Sequence, residues 1–152
     1  MVLALSKMER HLNMSDFTIS ILGSQTSPGS EEEQFELITE GQFTHAGEKS
    51  EISYLDSETT GFAGSQTTFI VEPEKITLKR DTWYGGDMVF DEAEKHHFLY
   101  QTPFGSLTMG IATERVSSEL GENGGNLQIK YALDVDNIVI SRNSFNITVK
   151  PA

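Results

Sequence analysis

The side chains best suited to chemistry in this chain are Arg80, Tyr54, Tyr100, Thr102, Thr113 and Tyr131, one cation with three phenols and two hydroxyls. Each shares its parity with apolar neighbours on an alternating stretch. Arg80 continues the series Ile76-Leu78, so a regular strand turns its guanidinium inward with the apolar set. An inward cation with five donors and a permanent charge can grip a carboxylate or phosphate. A cavity of aromatics with a few hydroxyls and one cation is how small-molecule sites are usually built. The plainer alternative stands beside it. Arg80 closes one end of a barrel, bonding carbonyls or stacking on an aromatic, and the tyrosines pack their rings and send their hydroxyls to the rim.

Other chemistries find little support. The histidines are His11, His45, His96 and His97. Adjacent strand residues face opposite ways, so His96 and His97 cannot chelate one ion together, and no His-X-His or His-Glu-X-X-His spacing exists. Glu31-Glu32-Glu33, with Glu36 and Glu40 beyond, reads as a solvated loop and strand face. Asp134-Val135-Asp136-Asn137 lacks the glycine and distal glutamate of a calcium loop and reads as a hairpin turn. Gly61 and Gly64 precede a strand rather than a helix, so they do not cradle phosphate. No Gly-X-Ser-X-Gly elbow is present, and no Ser, His and Asp are spaced as a triad. The reading is of a protein that is not an enzyme and needs no metal or cofactor.

The elements that must position these residues are strands. From Asp16 to Val149 apolar residues recur at every second position: Phe17-Ile19-Ile21, Leu107-Met109-Ile111, Leu127-Ile129-Tyr131-Leu133-Val135, Phe145-Ile147-Val149. That period puts one set of side chains on one face and the polar set on the other. Strands are expected at 16–26, 34–44, 51–55, 67–71, 76–81, 88–90, 97–103, 107–116, 126–135 and 138–150. The breaks fall at Ser27-Pro28-Gly29-Ser30, Gly47, the soft stretch 56–66, Tyr84-Gly85-Gly86-Asp87, Phe104-Gly105-Ser106, Gly121–Gly125 and Asp136-Asn137. Arg142 is ambiguous: the parity of Ile138 and Ile140 turns it inward, that of Phe145 and Ile147 outward, and a bulge near Asn143 would reconcile them.

Ten or so strands with hairpin-length connections favour an all-β, antiparallel, mainly up-and-down barrel of eight to ten strands, with a sandwich second. Residues 16–152 form that domain. Residues 1–15, where Leu5, Met8 and Leu12 share a helical spacing, form a short appendage, helical or disordered.

Bulk composition narrows the partners. The chain has 152 residues and no cysteine, which removes disulfides and thiolate chemistry. Its 23 acidic against 11 basic residues give a formal charge of −12, so nucleic acid and anionic membranes are repelled. No run approaches the ~20 apolar residues that span a bilayer. The opening Met1-Val2-Leu3-Ala4-Leu5 is brief, lacks a basic leader and does not read as a secretion signal.

The runs Tyr100-Gln101-Thr102-Pro103-Phe104-Gly105-Ser106-Leu107, Ile129-Lys130-Tyr131-Ala132-Leu133 and Ser141-Arg142-Asn143 carry a resemblance, together with Ile52-Ser53-Tyr54, residues 61–68 and Ile76-Thr77-Leu78-Lys79-Arg80. They resemble, in the same order, the YwiB-like bacterial family of unknown function. The resemblance covers residues 16–149 and implies a calycin- or lipocalin-like barrel from a bacterial cytoplasm. Thr82 stands where the family tends to carry glycine, which puts the local turn in doubt. The family brings no established activity or catalytic residues.

Two functions follow. In the first, the barrel interior holds a small, partly apolar ligand, with Arg80 or a tyrosine fixing its polar end. In the second, the barrel is solidly packed and its surface meets another protein or its own copy. The supply of bulky residues (Phe17, Phe43, Phe69, Trp83, Phe90, Phe98, Phe145) leans towards a full interior.

Overall fold

Alternation over ten segments produces ten strands. The structure, a computed structural model, describes residues 17–56, 64–81 and 86–152. The strands are β1 (Phe17–Thr26), β2 (Glu33–Ala46), β3 (Lys49–Leu55), β4 (Gln66–Val71), β5 (Ile76–Arg80), β6 (Met88–Phe90), β7 (His96–Thr102), β8 (Gly105–Gly121), β9 (Gly124–Val135) and β10 (Ile138–Pro151). No helix occurs among the described residues. The appendage at 1–15, Gly61, Thr82 and Trp83 lie outside them, as do most of the soft stretch and the Tyr84-Gly85 half of its following turn.

The sheet is antiparallel throughout, ordered β6-β5-β4-β3-β2-β1-β10-β9-β8-β7. Every step is between sequence neighbours except one, where β10 returns to pair with β1 (Ile19↔Val149, Ile21↔Ile147). That single return makes the meander a ring with one seam, between β6 and β7. The seam is crossed by Gly86 N–H donating to the Leu99 carbonyl at 3.3 Å. Side chains join it as well: Asp91 N–H donates to Thr113 Oγ1 at 3.1 Å, and Val116 N–H donates to Glu92 Oε1 at 2.9 Å. The barrel is thus nearly closed.

Turn chemistry sets the hairpins. Asp136 and Asn137 both hold left-handed backbone (φ 52° and 67°), the two-residue turn whose twist matches the strands it joins. Ser30 N–H donates to the Ser27 carbonyl at 3.0 Å, with Gly29 at φ 76° supplying the third position of that turn.

The inward set is nearly water-free: Ile19, Ile21, Ile52, Phe69, Ile76, Leu78, Phe90, Ile111, Leu127, Ile129, Ile147 and Val149 are each at most 1 % exposed. Aromatic rings then bridge the lumen. Phe69 of β4 meets Phe145 of β10 with centroids 5.8 Å apart, although three strands separate them around the wall. Phe145 also meets Tyr131 (6.1 Å) and Phe35 (6.4 Å), and Tyr131 meets Phe90 of β6 at 4.7 Å. Gly23 permits part of this. It pairs with Phe35 on one side and Phe145 on the other, and a methyl there would collide with the Phe35 ring.

Several boundaries run past the sequence expectation. β8 continues to Gly121 and takes up Ser117–Leu120, where alternation is weak, because β9 offers a continuous partner across the Gly121–Gly124 turn. Ile138 and Ile140 do not face inward. They are 70 % and 38 % exposed, and the register shifts between Val139 and Ser141, so the bulge lies before Arg142 and not near Asn143. Arg142 consequently points outward, 4.0 Å from Glu114.

Candidate functional site

Three of the six residues singled out from sequence come together, and they bring two others. Arg80 keeps the inward parity of Ile76 and Leu78, and its side chain is 17 % exposed. Its Nε donates to Thr67 Oγ1 at 3.3 Å and lies 3.8 Å from Asp56 Oδ2. Thr67, fully buried, donates its hydroxyl to the same carboxylate oxygen. Tyr54 stacks on Phe69, ring centroids 6.5 Å apart, and Tyr131 approaches from the opposite wall between Phe90 and Phe145. Register explains the grouping: Arg80 pairs with Thr67, and Thr67 pairs with Tyr54, one row across β5, β4 and β3.

Both phenols are pushed well above their ordinary range. For Tyr54 burial is the main cause, reinforced by the Asp56 charge and opposed by Arg80 and Thr67. For Tyr131 burial again dominates, opposed by Arg80. Both remain neutral hydroxyls at physiological pH. Arg80 therefore senses Tyr54 beside it and Tyr131 across the lumen, and its charge is met by Asp56. The cluster can hold a polar group by hydrogen bonds from neutral hydroxyls.

Asp56 is the participant that sequence reading passed over. It follows the inward series Ile52-Tyr54 at the same spacing, but a strand ended at Leu55 put it in the connection. An aspartate at an inward position, with an arginine inward two strands away, was the available signal.

The remaining three residues lie elsewhere. Thr113 stands beside the β8 bulge between Thr113 and Arg115 and closes the seam through Asp91. Thr102 shapes the β7–β8 turn: its Oγ1 donates to the Gly105 carbonyl at 2.7 Å and accepts from Phe104 N–H at 3.1 Å. Tyr100 keeps inward parity with Phe98 but is exposed, because the hairpin runs on beyond the packed layer.

That hairpin is the other notable place on the molecule. Phe104 at its tip is 99 % exposed, and Leu99, Leu107 and Tyr100 are exposed behind it. Residues 96–113 contain no Asp, Glu, Lys or Arg in a chain of charge −12.

Below the hairpin, His96 Nε2 faces Asp91 Oδ2 at 3.2 Å and Glu94 Oε1 at 3.4 Å, three groups whose ligand atoms lie within 4.8 Å. The set could hold a divalent ion. It is equally satisfied as a histidine between carboxylates, and Asp91 is held below its ordinary value by the Ala93 N–H first and by His96 second. His97 faces the other way and is exposed. On the outer wall, Ser24, Gln34, Gln128, Lys130, Arg142 and Asn146 line an open polar groove of about 430 Å³.

Comparison with known proteins agrees with this architecture. The family described as "Domain of unknown function (DUF1934)" matches residues 19–147, and the chain belongs to that family. The crystal structure of ywiB protein from Bacillus subtilis is similar in fold, with a TM-score of 0.76 and 18 % sequence identity, over 94 % of this chain and 98 % of that one. No curated protein matches the chain. No helix among the described residues is long and apolar enough to cross a membrane.

Proposed function

We propose that this member of the DUF1934 family is a protein-interaction module of the bacterial cytoplasm, a packed barrel that works through its outer surface. The observation that carries the reading is the β7–β8 hairpin, whose tip exposes Phe104 almost completely with Leu99, Leu107 and Tyr100 beside it. A turn needs no aromatic at that position; Thr102, Pro103 and Gly105 supply its geometry. A large ring held in water on a rigid two-stranded ribbon is what a docking anchor requires. The lumen supports the same reading, since rings from β4, β6, β9 and β10 occupy it and Arg80 is engaged with Thr67 and Asp56.

A photo-reactive phenylalanine analogue at position 104 tests this in living cells. The expected result is a discrete cross-linked protein species that disappears when Leu107 is replaced by Asp in the same chain. Cross-linking only to solvent, or an unchanged pattern in the Leu107→Asp chain, would overturn it.

One observation keeps the ligand reading in play. The partly exposed guanidinium of Arg80 lies among two neutral phenols, a grouping suited to the polar end of a small molecule. On that reading octanoate or inorganic phosphate raises the melting temperature of the native chain and not of Arg80→Ala.

A further inference from the structure

We infer that the partner met by the β7–β8 hairpin is a second copy of this chain, an inference that rests on the docking reading above. Charge is the first argument. Two copies of a −12 protein repel over most of their surfaces, yet residues 96–113 present a stretch free of Asp, Glu, Lys and Arg. Copies that meet at the tip set no charged residue of the hairpin against its twin, and a two-fold axis brings the two uncharged apolar tips together. A basic partner would be drawn elsewhere, to the acidic walls.

Backbone geometry is the second argument. In an antiparallel strand the N–H and C=O of one residue point to the same side, alternating along the chain. Leu99 sends its carbonyl to Gly86, across the seam and away from β8. Gln101, two residues on, therefore turns its own N–H and C=O to that outer edge. Among the described residues β7 pairs as a strand with β8 alone, and β6 ends its pairing at Met88. Beyond the Gly86 bond only the Gln101 end of this edge stays open among the described residues, uncharged and next to the exposed tip, and an open strand end of that kind is where a second strand adds. A second β7, antiparallel about the two-fold, supplies that strand. Phe104 and Leu107 then leave water together.

Sedimentation velocity of the full chain decides the matter, run from about 2 to 200 µM, a range that brackets micromolar dissociation constants. The native chain should dimerise, and Phe104→Asp should weaken the dimer at least about tenfold, the scale of losing a buried aromatic anchor. Phe104→Ser, which adds no charge, should weaken it in the same direction. Neither change should alter the circular dichroism or the melting temperature, since the ring touches water and little else. Raising the salt should strengthen the dimer by screening the net charge, whereas a contact built on opposite charges would weaken.

A native chain that stays monomeric at the top of the range, or a dimer indifferent to both substitutions, overturns the inference. So does a cross-link from position 104 to residues 1–16 of the same chain. If the chain is monomeric but position 104 still cross-links to a different protein in cells, self-association fails while the docking reading survives. If neither is seen, both fail.

Discussion

At the scale of single residues, the account turns on Asp56 and Arg80. Burying a charge is costly unless a partner and hydrogen bonds offset it, and here Thr67 supplies one of those bonds. Asp56→Ala leaves the guanidinium among apolar rings, and the expected loss is about 2–3 kcal/mol. That is below the usual range for a broken buried pair, because Arg80 retains some solvent. Replacing both together, Asp56→Leu with Arg80→Met, should restore most of the loss, because the pair's net worth is small once neither charge is present. Denaturant unfolding of the two variants measures this, and a double variant no better than Asp56→Ala would show that the charges do more than satisfy each other. The parity of Ile76-Leu78-Arg80 made the arginine legible in the sequence. Asp56 was hidden because the alternation that marks it crosses from strand into connection, where acidic residues are usually solvated.

At the scale of elements, alternation and turn residues located all ten strands, since each strand buries only one face and each break carries Gly, Pro, Asn or Asp. What they could not locate were the places where two strands fall out of step. The register shift between Val139 and Ser141 exposes Ile138 and Ile140 and turns Arg142 outward. Both isoleucines have the composition of a core strand, so nothing local betrays the shift. It is imposed by β9, whose own inward set must stay aligned with Phe145 and Ile147. Tyr100 and Thr102 illustrate a second limit. Their parity was read correctly, but parity says which face a side chain takes and not whether that stretch of strand still has a barrel behind it. Thr113 shows a third, since its role at the seam depends on Asp91, 22 residues away and on the opposite edge of the sheet.

At the scale of the whole molecule, the barrel is stabilised by rings that touch across the lumen, so strands remote in the wall depend on one another. Two rings of this core, Tyr54 and Tyr131, are phenols whose pKa is raised by folding. The free chain releases such a proton near 10.0, while the folded barrel retains it to higher pH. Above pH 10 the unfolded state therefore binds fewer protons than the native state, and stability falls as pH rises. Their stabilising contribution is complete below that value. The loss reaches at most about 1.4 kcal/mol per pH unit for each phenol. Thermal unfolding followed from pH 8 upward should show a decline that Tyr54→Phe with Tyr131→Phe makes shallower; an equal slope in that variant would mean the phenols are not shielded. The exposed hairpin belongs to this scale too, since it is an outlier only against the charge of the entire surface.

Whether the lumen is occupied by the chain's own side chains or by something else is best decided by native mass spectrometry of the protein purified from its own host. A filled barrel gives the mass of the chain or whole multiples of it, with nothing added. A stoichiometric small-molecule adduct that is present in the native chain and lost in Arg80→Ala would contradict the account.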